Sequence, residues 1–248
     1  MSTKAIQKLL RGVLTYRSKE KAALLQKLKE IQKNPNPLAV VVSCMDGRVL
    51  NRKLMQSDVG DLYLVKNPSN MVPAMRGNDV NQAAVAAVAA LQMTTVLGGI
   101  RDIIVFGHGN CSAISAMYQL FKENKPLDHS SPVDLWLRGN AASSWERFQK
   151  FMNNRQPLHY MQTSDQLSIE VHIDVERMLD EKDTLSQIHC LQQLENIASY
   201  PIIRDPLESG KVKIHAMWFN IYTGEVSLFS RKNKKFVVVT EDTINSVD

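Results

Sequence analysis

Val40-Val41-Val42-Ser43-Cys44-Met45-Asp46-Gly47-Arg48 is the stretch whose reading decides the fold. A β-branched apolar run ends abruptly in a thiol, an acid, a glycine and a base. Such a run reads as a strand buried on both faces, as in parallel sheets. In open α/β sheets, ligand chemistry gathers just beyond the carboxyl ends of the strands. Cys44, Asp46 and Arg48 stand at that position. Ile103-Ile104-Val105-Phe106-Gly107-His108-Gly109-Asn110-Cys111 repeats the arrangement, with His and Cys three apart after the strand.

Outward from these two strands, Leu62-Tyr63-Leu64-Val65-Lys66 predicts another, followed by Asn67-Pro68-Ser69-Asn70. Alternation from Val212 to Trp218 predicts a strand that Thr223-Gly224 turns back into Glu225–Ser230, and Phe236–Val239 a last short one. The intervening patterns predict helices. Ile6, Leu9, Leu10, Val13 and Leu14, then Leu24, Leu25, Leu28 and Ile31, give two amphipathic helices over roughly residues 3–32, joined near Ser18. Asp79 is placed to cap an Ala-rich helix through Leu97, closed by Gly98-Gly99. A further helix opens near Cys111 and runs to about Lys122, and Pro132 opens one carrying Trp136 and Trp145. Thr184-Leu185-Ser186-Gln187 reads as a capping box whose helix runs to Tyr200. Residues 155–181 are the least readable part.

Strands alternating with helices imply an α/β fold. A mostly parallel central β-sheet is flanked by helices, with an antiparallel C-terminal hairpin and an N-terminal helical arm. No repeat or linker interrupts the chain, so one domain over 1–248 is expected. Its first helices, residues 1–32, must cover their own sheet or reach a partner subunit.

The 248 residues are 44% apolar, ordinary for a soluble globular chain. No apolar run approaches the roughly 20 residues of a membrane helix. Lys and Arg total 30 against 25 acids, a net charge of +5. That excess is spread out except at Arg231-Lys232-Asn233-Lys234-Lys235, which reads as a solvated turn. Neither nucleic acid nor a membrane is expected as a partner. Cys44, Cys111 and Cys190 are too few, and odd in number, for a secreted disulfide framework, so a reducing compartment is the default. The first 19 residues hold Lys4, Lys8, Arg11, Arg17 and Lys19 and no acid. Mitochondrial presequences and basic amphipathic helices share that composition. The cytoplasm is the expected location, with the mitochondrial matrix as the alternative.

Cys44 alone reads equally as packing or as chemistry. The His108-x-x-Cys111 pair tips the balance, because Cys and His are zinc ligand types and can share one metal from a tight turn. Gly107 and Gly109 let the backbone turn sharply there. Cys111 falls at a helix N-terminus, where the dipole favours a thiolate. Cys44, His108 and Cys111 thus make three ligands for one zinc (Zn2+), with a fourth position left for water, which is the catalytic pattern. Gly107-x-Gly109-x-x-Ser112 also imitates a dinucleotide fingerprint, but lacks the last glycine and follows the wrong strand. Cys44 to Arg48 is too short for a phosphate-cradling cysteine loop. His189 and Cys190, adjacent on a helix, read as packing or surface residues, as do His129, His159, His172 and His215, which lack a neighbouring cysteine.

Cys44-x-Asp46-x-Arg48 followed by His108-x-x-Cys111 resembles the signature of the β-class carbonic anhydrases. Leu9-Leu10-Arg11-Gly12 with Tyr16-Arg17, Asp58-Val59-Gly60-Asp61, Gln192-x-x-Glu195-Asn196 and Trp218-Phe219-x-Ile221-Tyr222-Thr223-Gly224 resemble its animal-type branch. The resemblance implies a zinc enzyme interconverting CO2 and bicarbonate, with the first helices part of the mature fold. It also implies a homodimer, or a higher even oligomer, whose N-terminal helices wrap the partner. Two departures stand out. The family usually has Ser at the place of Gly47, and Arg-Asn-Ala-Gly-Asn where this chain has Lys66-Asn67-Pro68-Ser69-Asn70. Pro68 and Ser69 restrict φ in a loop that shapes the cleft floor.

Two thiolates cancel the formal charge of the ion, so a bound water is less acidified than in a three-histidine site. Asp46 is the candidate to help, by accepting a hydrogen bond from the nucleophilic oxygen and aiming it at CO2. Arg48 would hold Asp46 ionised and in place. In some relatives the aspartate ligates the metal instead, which makes Asp46 a conditional fourth ligand in a closed form. The alternative function is a catalytically weak, zinc-binding relative acting as a structural or regulatory dimer. A non-metal redox or dinucleotide-binding protein is the more distant rival.

Overall fold

In the computed structural model, which describes residues 3–162 and 165–245, the chain opens with α1 (Lys4–Lys19) and α2 (Lys21–Lys33). Residues 1 and 2 of the expected arm lie outside the described residues. The Thr3 hydroxyl caps α1 by accepting from the Ile6 N–H. The joint falls at Glu20 rather than near Ser18. Neither helix buries a residue. α2 is tied to the body of the chain by the Lys27–Asp58 ion pair and by Ile31, which lies 3.1 Å from where a Cβ on Gly60 would stand. Gly60 has φ +92°, so both backbone and space call for glycine there. α1 leaves Leu9, Leu10, Val13 and Leu14 bare, Leu9 being 67% exposed.

The valine run becomes β1 (Ala39–Cys44), buried throughout. A short α3 (Asn51–Leu54) leads to β2 (Leu62–Asn67). The Ala-rich segment begins as a 3-10 turn over Gln82–Ala84, continues as α4 (Val85–Leu91) and widens into a π-helical stretch over Gln92–Leu97. Its cap is Asn81, whose side chain accepts from the Ala83 N–H, not Asp79. Asp79 is engaged instead in backbone pairing with Arg76. β3 (Asp102–His108) and α5 (Ser112–Lys122) follow as expected.

The segment opened by Pro132 is two helices, α6 (Pro132–Asn140) and α7 (Ala142–Asn154), broken at Ala141. The unreadable region holds β4 (Leu158–Tyr160) and β5 (Ile169–Val171), a small antiparallel pair of its own. α8 (Glu181–Ala198) starts at Asp180, whose carboxylate accepts from the Asp183 N–H. The capping box at Thr184 is therefore an interior turn, because a carboxylate one turn earlier already satisfies the free N–H groups. α9 (Pro201–Glu208), β6 (Lys213–Phe219), β7 (Val226–Ser230) and β8 (Lys235–Val238) complete the chain.

The central sheet runs β2-β1-β3-β6-β7-β8. The first four strands are parallel and the last two antiparallel, with Val42 beside Val65 and Val105, and Val105 beside Ala216. Strand order reverses around β1, the place where such sheets bind ligands. One face packs Val40, Val42, Ile103 and Val105 against Leu185, Ile188, Leu191 and Leu194 of α8. The other holds a smaller cluster of Ala39, Val41, Phe106 and Phe219. No described helix is long and apolar enough to cross a membrane.

Candidate metal centre

β1 and β3 are parallel neighbours, with Ser43 beside Phe106. Cys44 and His108 therefore leave the sheet at the same end, a strand spacing apart. Cys111 caps α5 just beyond. The potential ligand atoms of Cys44, His108 and Cys111 all lie within 4.8 Å of one another, and all three residues are buried. The two sulfurs are 3.8 Å apart. Such a group can hold a metal ion. Among the described residues it is the one such His/Cys/Asp/Glu group.

The histidine is set for ligation. Its Nδ1 lies 2.8 Å from the Gly109 carbonyl, to which it can only donate. That fixes the proton on Nδ1 and leaves the Nε2 lone pair free. Nε2 is buried and has no hydrogen-bond partner. A buried unpaired nitrogen is costly unless something binds it. The Cys44 thiol is pulled down to about 4, first by the hydrogen bond with the Cys111 thiol, then by His108 and the N–H groups of Asp46 and Ser69, against the effect of burial. Cys111 moves the opposite way, because it keeps the proton the two sulfurs share and is itself buried. The N–H groups of Ile114 and Ala113 in the first turn of α5 favour its thiolate.

Asp46 and Arg48 form the expected pair, in a two-pronged geometry. Arg48 Nε donates to Asp46 Oδ1 at 3.0 Å and Nη2 to Oδ2 at 2.7 Å. The guanidinium, followed by the Arg48 N–H and charge, holds the Asp46 carboxyl down at about 2. Arg48 has a second task that the motif does not reveal. Its Nη1 donates to Asn110 Oδ1 and its Nη2 to the Asn110 carbonyl. The same side chain thus ties the end of β1 to the turn carrying His108 and Cys111.

The glycines of that turn serve differently from the sharp bend the sequence suggests. Neither Gly107 nor Gly109 has positive φ; Asn110 does, at +52°. A Cβ on Gly107 would stand 3.1 Å from Cys190 Cβ and 3.2 Å from the Trp218 ring. One on Gly109 would stand 3.0 Å from Asp183 Oδ2. They are small because α8 and β6 press on the turn. Asp183 Oδ1 accepts from the Asn110 N–H at 2.7 Å, and burial raises its carboxyl. The Ser186 hydroxyl donates to the His108 carbonyl and accepts from Trp218 Nε1. Sequence reading passed over Asn110, Asp183 and Ser186. The signal available for Asp183 was its place in the first turn of a helix, and for Asn110 the tolerance of Asn for left-handed backbone.

A carbonic anhydrase family model matches residues 39–226, the span from β1 to the start of β7. The beta carbonic anhydrase 1 of Caenorhabditis elegans is 39% identical over 251 residues, covering 98% of this chain and 91% of its own length. That of Caenorhabditis briggsae is 37% identical over 246 residues with the same coverage. The chain belongs to the β-carbonic anhydrase family. The fold agrees: the structure of the β-carbonic anhydrase CcaA matches with a TM-score of 0.71 at 22% identity, over 96% of this chain and 94% of that one. A tetrameric β-carbonic anhydrase of Sordaria macrospora matches with a TM-score of 0.61 at 14% identity, over 91% and 97%.

In this carbonic anhydrase the two departures in the motif have different weight. Nothing lies within 4 Å of a Cβ on Gly47, so serine would fit and glycine is not required. Ser69, by contrast, sits at φ 63°, ψ 22°, where a glycine is at ease and a serine is strained by about 1–2 kcal/mol. His189 and Cys190 are fully buried, and His215 and His172 pair with Asp102 and Glu170. None of these joins the cluster.

Proposed function

We propose that Cys44, His108 and Cys111 hold one zinc ion per chain and that the chain catalyses zinc-dependent, reversible hydration of CO2 to bicarbonate and a proton. Enzymatic hydration of CO2 is the reaction of its family. The observation that carries the metal is the buried, partnerless His108 Nε2, with its tautomer fixed by Gly109, beside two buried thiols. Zinc bound there keeps a position for water and lowers its pKa, which supplies a nucleophile near neutral pH.

The chain's own contribution is orientation. Asp46 stays ionised across the working range because Arg48 grips both its oxygens. Its carboxylate accepts a hydrogen bond from the attacking water and aims that oxygen at CO2. Asp46 and Arg48 are the catalytic residues we assign. Freed from Arg48, Asp46 is also the candidate fourth ligand of a closed form. The altered 66–70 loop is held by hydrogen bonds, which favours an active enzyme over a catalytically weak relative: Asn67 bonds both the N–H and the carbonyl of Met71, and Trp136 Nε1 donates to the Pro68 carbonyl.

The functional unit we infer is a homodimer. Helices of this length are marginal alone in water, and α1 buries none of its residues within the chain. Covering Leu9, Leu10, Val13 and Leu14 on a partner is worth about 1.5–3 kcal/mol for each fully buried side chain. Metal analysis tests the central assignment: one zinc per chain is expected in the purified protein. Full zinc content in Cys44→Ser would overturn it.

A further inference from the structure

The loop between β2 and the Ala-rich helix closes over Cys44. Its Ser69 N–H is one of the donors that favour the Cys44 thiolate. The turn follows Asn67, the strand partner of Cys44, and in it Ser69 and Asn70 both take left-handed backbone, at φ 63° and 48°. Serine does not adopt this conformation freely, so the turn must be held from outside.

α8 does the holding. His189, two turns along the helix and fully buried, places Nε2 3.0 Å from the Ser69 carbonyl. Its Nδ1 is 2.9 Å from Ser144 Oγ on α7. A carbonyl only accepts, so Nε2 carries the proton, and Nδ1 accepts from the Ser144 hydroxyl. Burial pulls the imidazole down to about 4, so it stays neutral and keeps this one tautomer. One helical turn further, Gln193 Oε1 accepts from the Val72 N–H, and its Nε2 donates to the His189 carbonyl. The strained turn is therefore clamped from α8 at both ends, and the clamp is locked by α7.

We propose that His189 is a positioning residue for the metal centre: its Nε2–H, aligned by Ser144, holds Ser69 in left-handed backbone and so fixes the turn that follows Asn67, the strand partner of Cys44. This rests on the zinc assignment above. Hydrogen bonds to a ligand from outside the coordination sphere orient it and tune its affinity for the metal, typically by 10–100-fold. A neutral histidine merely filling the core would have no such reach.

The test uses the full-length protein, with zinc affinity measured by chelator competition and with cobalt as a spectroscopic substitute. His189→Ala is expected to lower zinc affinity by about 10-fold or more. It should also shift the thiolate-to-cobalt charge-transfer band to lower energy, since an unbonded thiolate is the better electron donor. His189→Gln, which keeps an N–H on the same helix face, is expected to recover part of both. Glycine adopts left-handed backbone without help. Ser69→Gly in the His189→Ala background should therefore restore affinity and band position, whereas Ser69→Gly alone should change little. If His189→Ala does not fold, Ser144→Ala, which removes only the hydroxyl that aligns the imidazole, is expected to move both readouts the same way by less. Unchanged affinity and band in a folded His189→Ala, or in Ser144→Ala, would overturn the proposal. So would a His189→Ala defect that Ser69→Gly fails to suppress. A wild-type chain that binds no zinc would instead overturn the zinc assignment.

Discussion

The carboxyl end of the sheet and the N-terminal arm are opposites. At the sheet end, the three residues proposed to hold the metal are buried and clamped by Arg48, Asp183 and Ser186, all from one chain. The arm has two well-formed helices and buries none of its residues within the chain. One chain is thus enough to assemble the donor set, because adjacent parallel strands deliver Cys44 and His108 together. It is not enough to cover its own apolar arm. Ligand geometry and assembly should therefore fail separately.

The largest expected effect comes from the donor set. His108→Ala and Cys111→Ser should each abolish zinc retention and CO2 hydration while leaving a soluble dimer, as read by metal analysis, stopped-flow assay and sedimentation. Loss of the dimer in both variants would show that site and assembly are not independent. The converse experiment replaces Leu9, Leu10 and Val13 by Asp. A monomer or an aggregating chain is expected, because a second copy no longer gains by burying α1. A well-behaved dimer of unchanged affinity would place the interface elsewhere.

Asp46→Asn should retain zinc and lower hydration by about 100-fold, in the range of a lost general acid–base partner. Arg48→Ala should do more than release Asp46. It also cuts the tie to Asn110, so some loss of zinc affinity is expected with the loss of turnover. Near-normal turnover in Arg48→Ala would reduce the pair to an exposed ion pair worth about 0–1 kcal/mol. Gly109→Ala should be milder, costing about 1–3 kcal/mol of stability as the new methyl meets Asp183 and Trp218. Thermal melts check this.

The last effect is a pH dependence. The His189 pKa lies near 4 in the folded chain, below its ordinary value of 6.5. Its contribution to stability is thus complete above pH 6.5 and is lost progressively as pH falls toward 4. His189→Gln should flatten that part of the stability curve. An unchanged slope would mean that other groups set it.

Much of this molecule can be read before it is seen. The apolar runs at Val40–Val42 and Ile103–Phe106 announce buried parallel strands, and the residues after them announce the Cys44, His108 and Cys111 group that the fold brings together. What escapes the eye has identifiable causes. β4 and β5 are each three residues long, too short for an alternating pattern to register. Asp180 outcompetes the Thr184 box because both offer caps within one turn of each other. The break at Ala141 divides a segment whose apolar spacing continues across it. His189 looks like packing because its partners, Ser144 and Ser69, are far away in sequence. Gly107 and Gly109 look like bending points, yet they are points of close approach, which depends on α8 and β6 rather than on local sequence.

The most direct measurement is CO2 hydration on one purified sample followed through removal and return of zinc. Hydration should vanish when a chelator strips the metal and recover fully when zinc reaches one equivalent per chain, with the dimer intact throughout. Hydration that persists in the metal-free protein, or that zinc fails to restore to a still-folded dimer, would contradict a zinc centre at Cys44, His108 and Cys111.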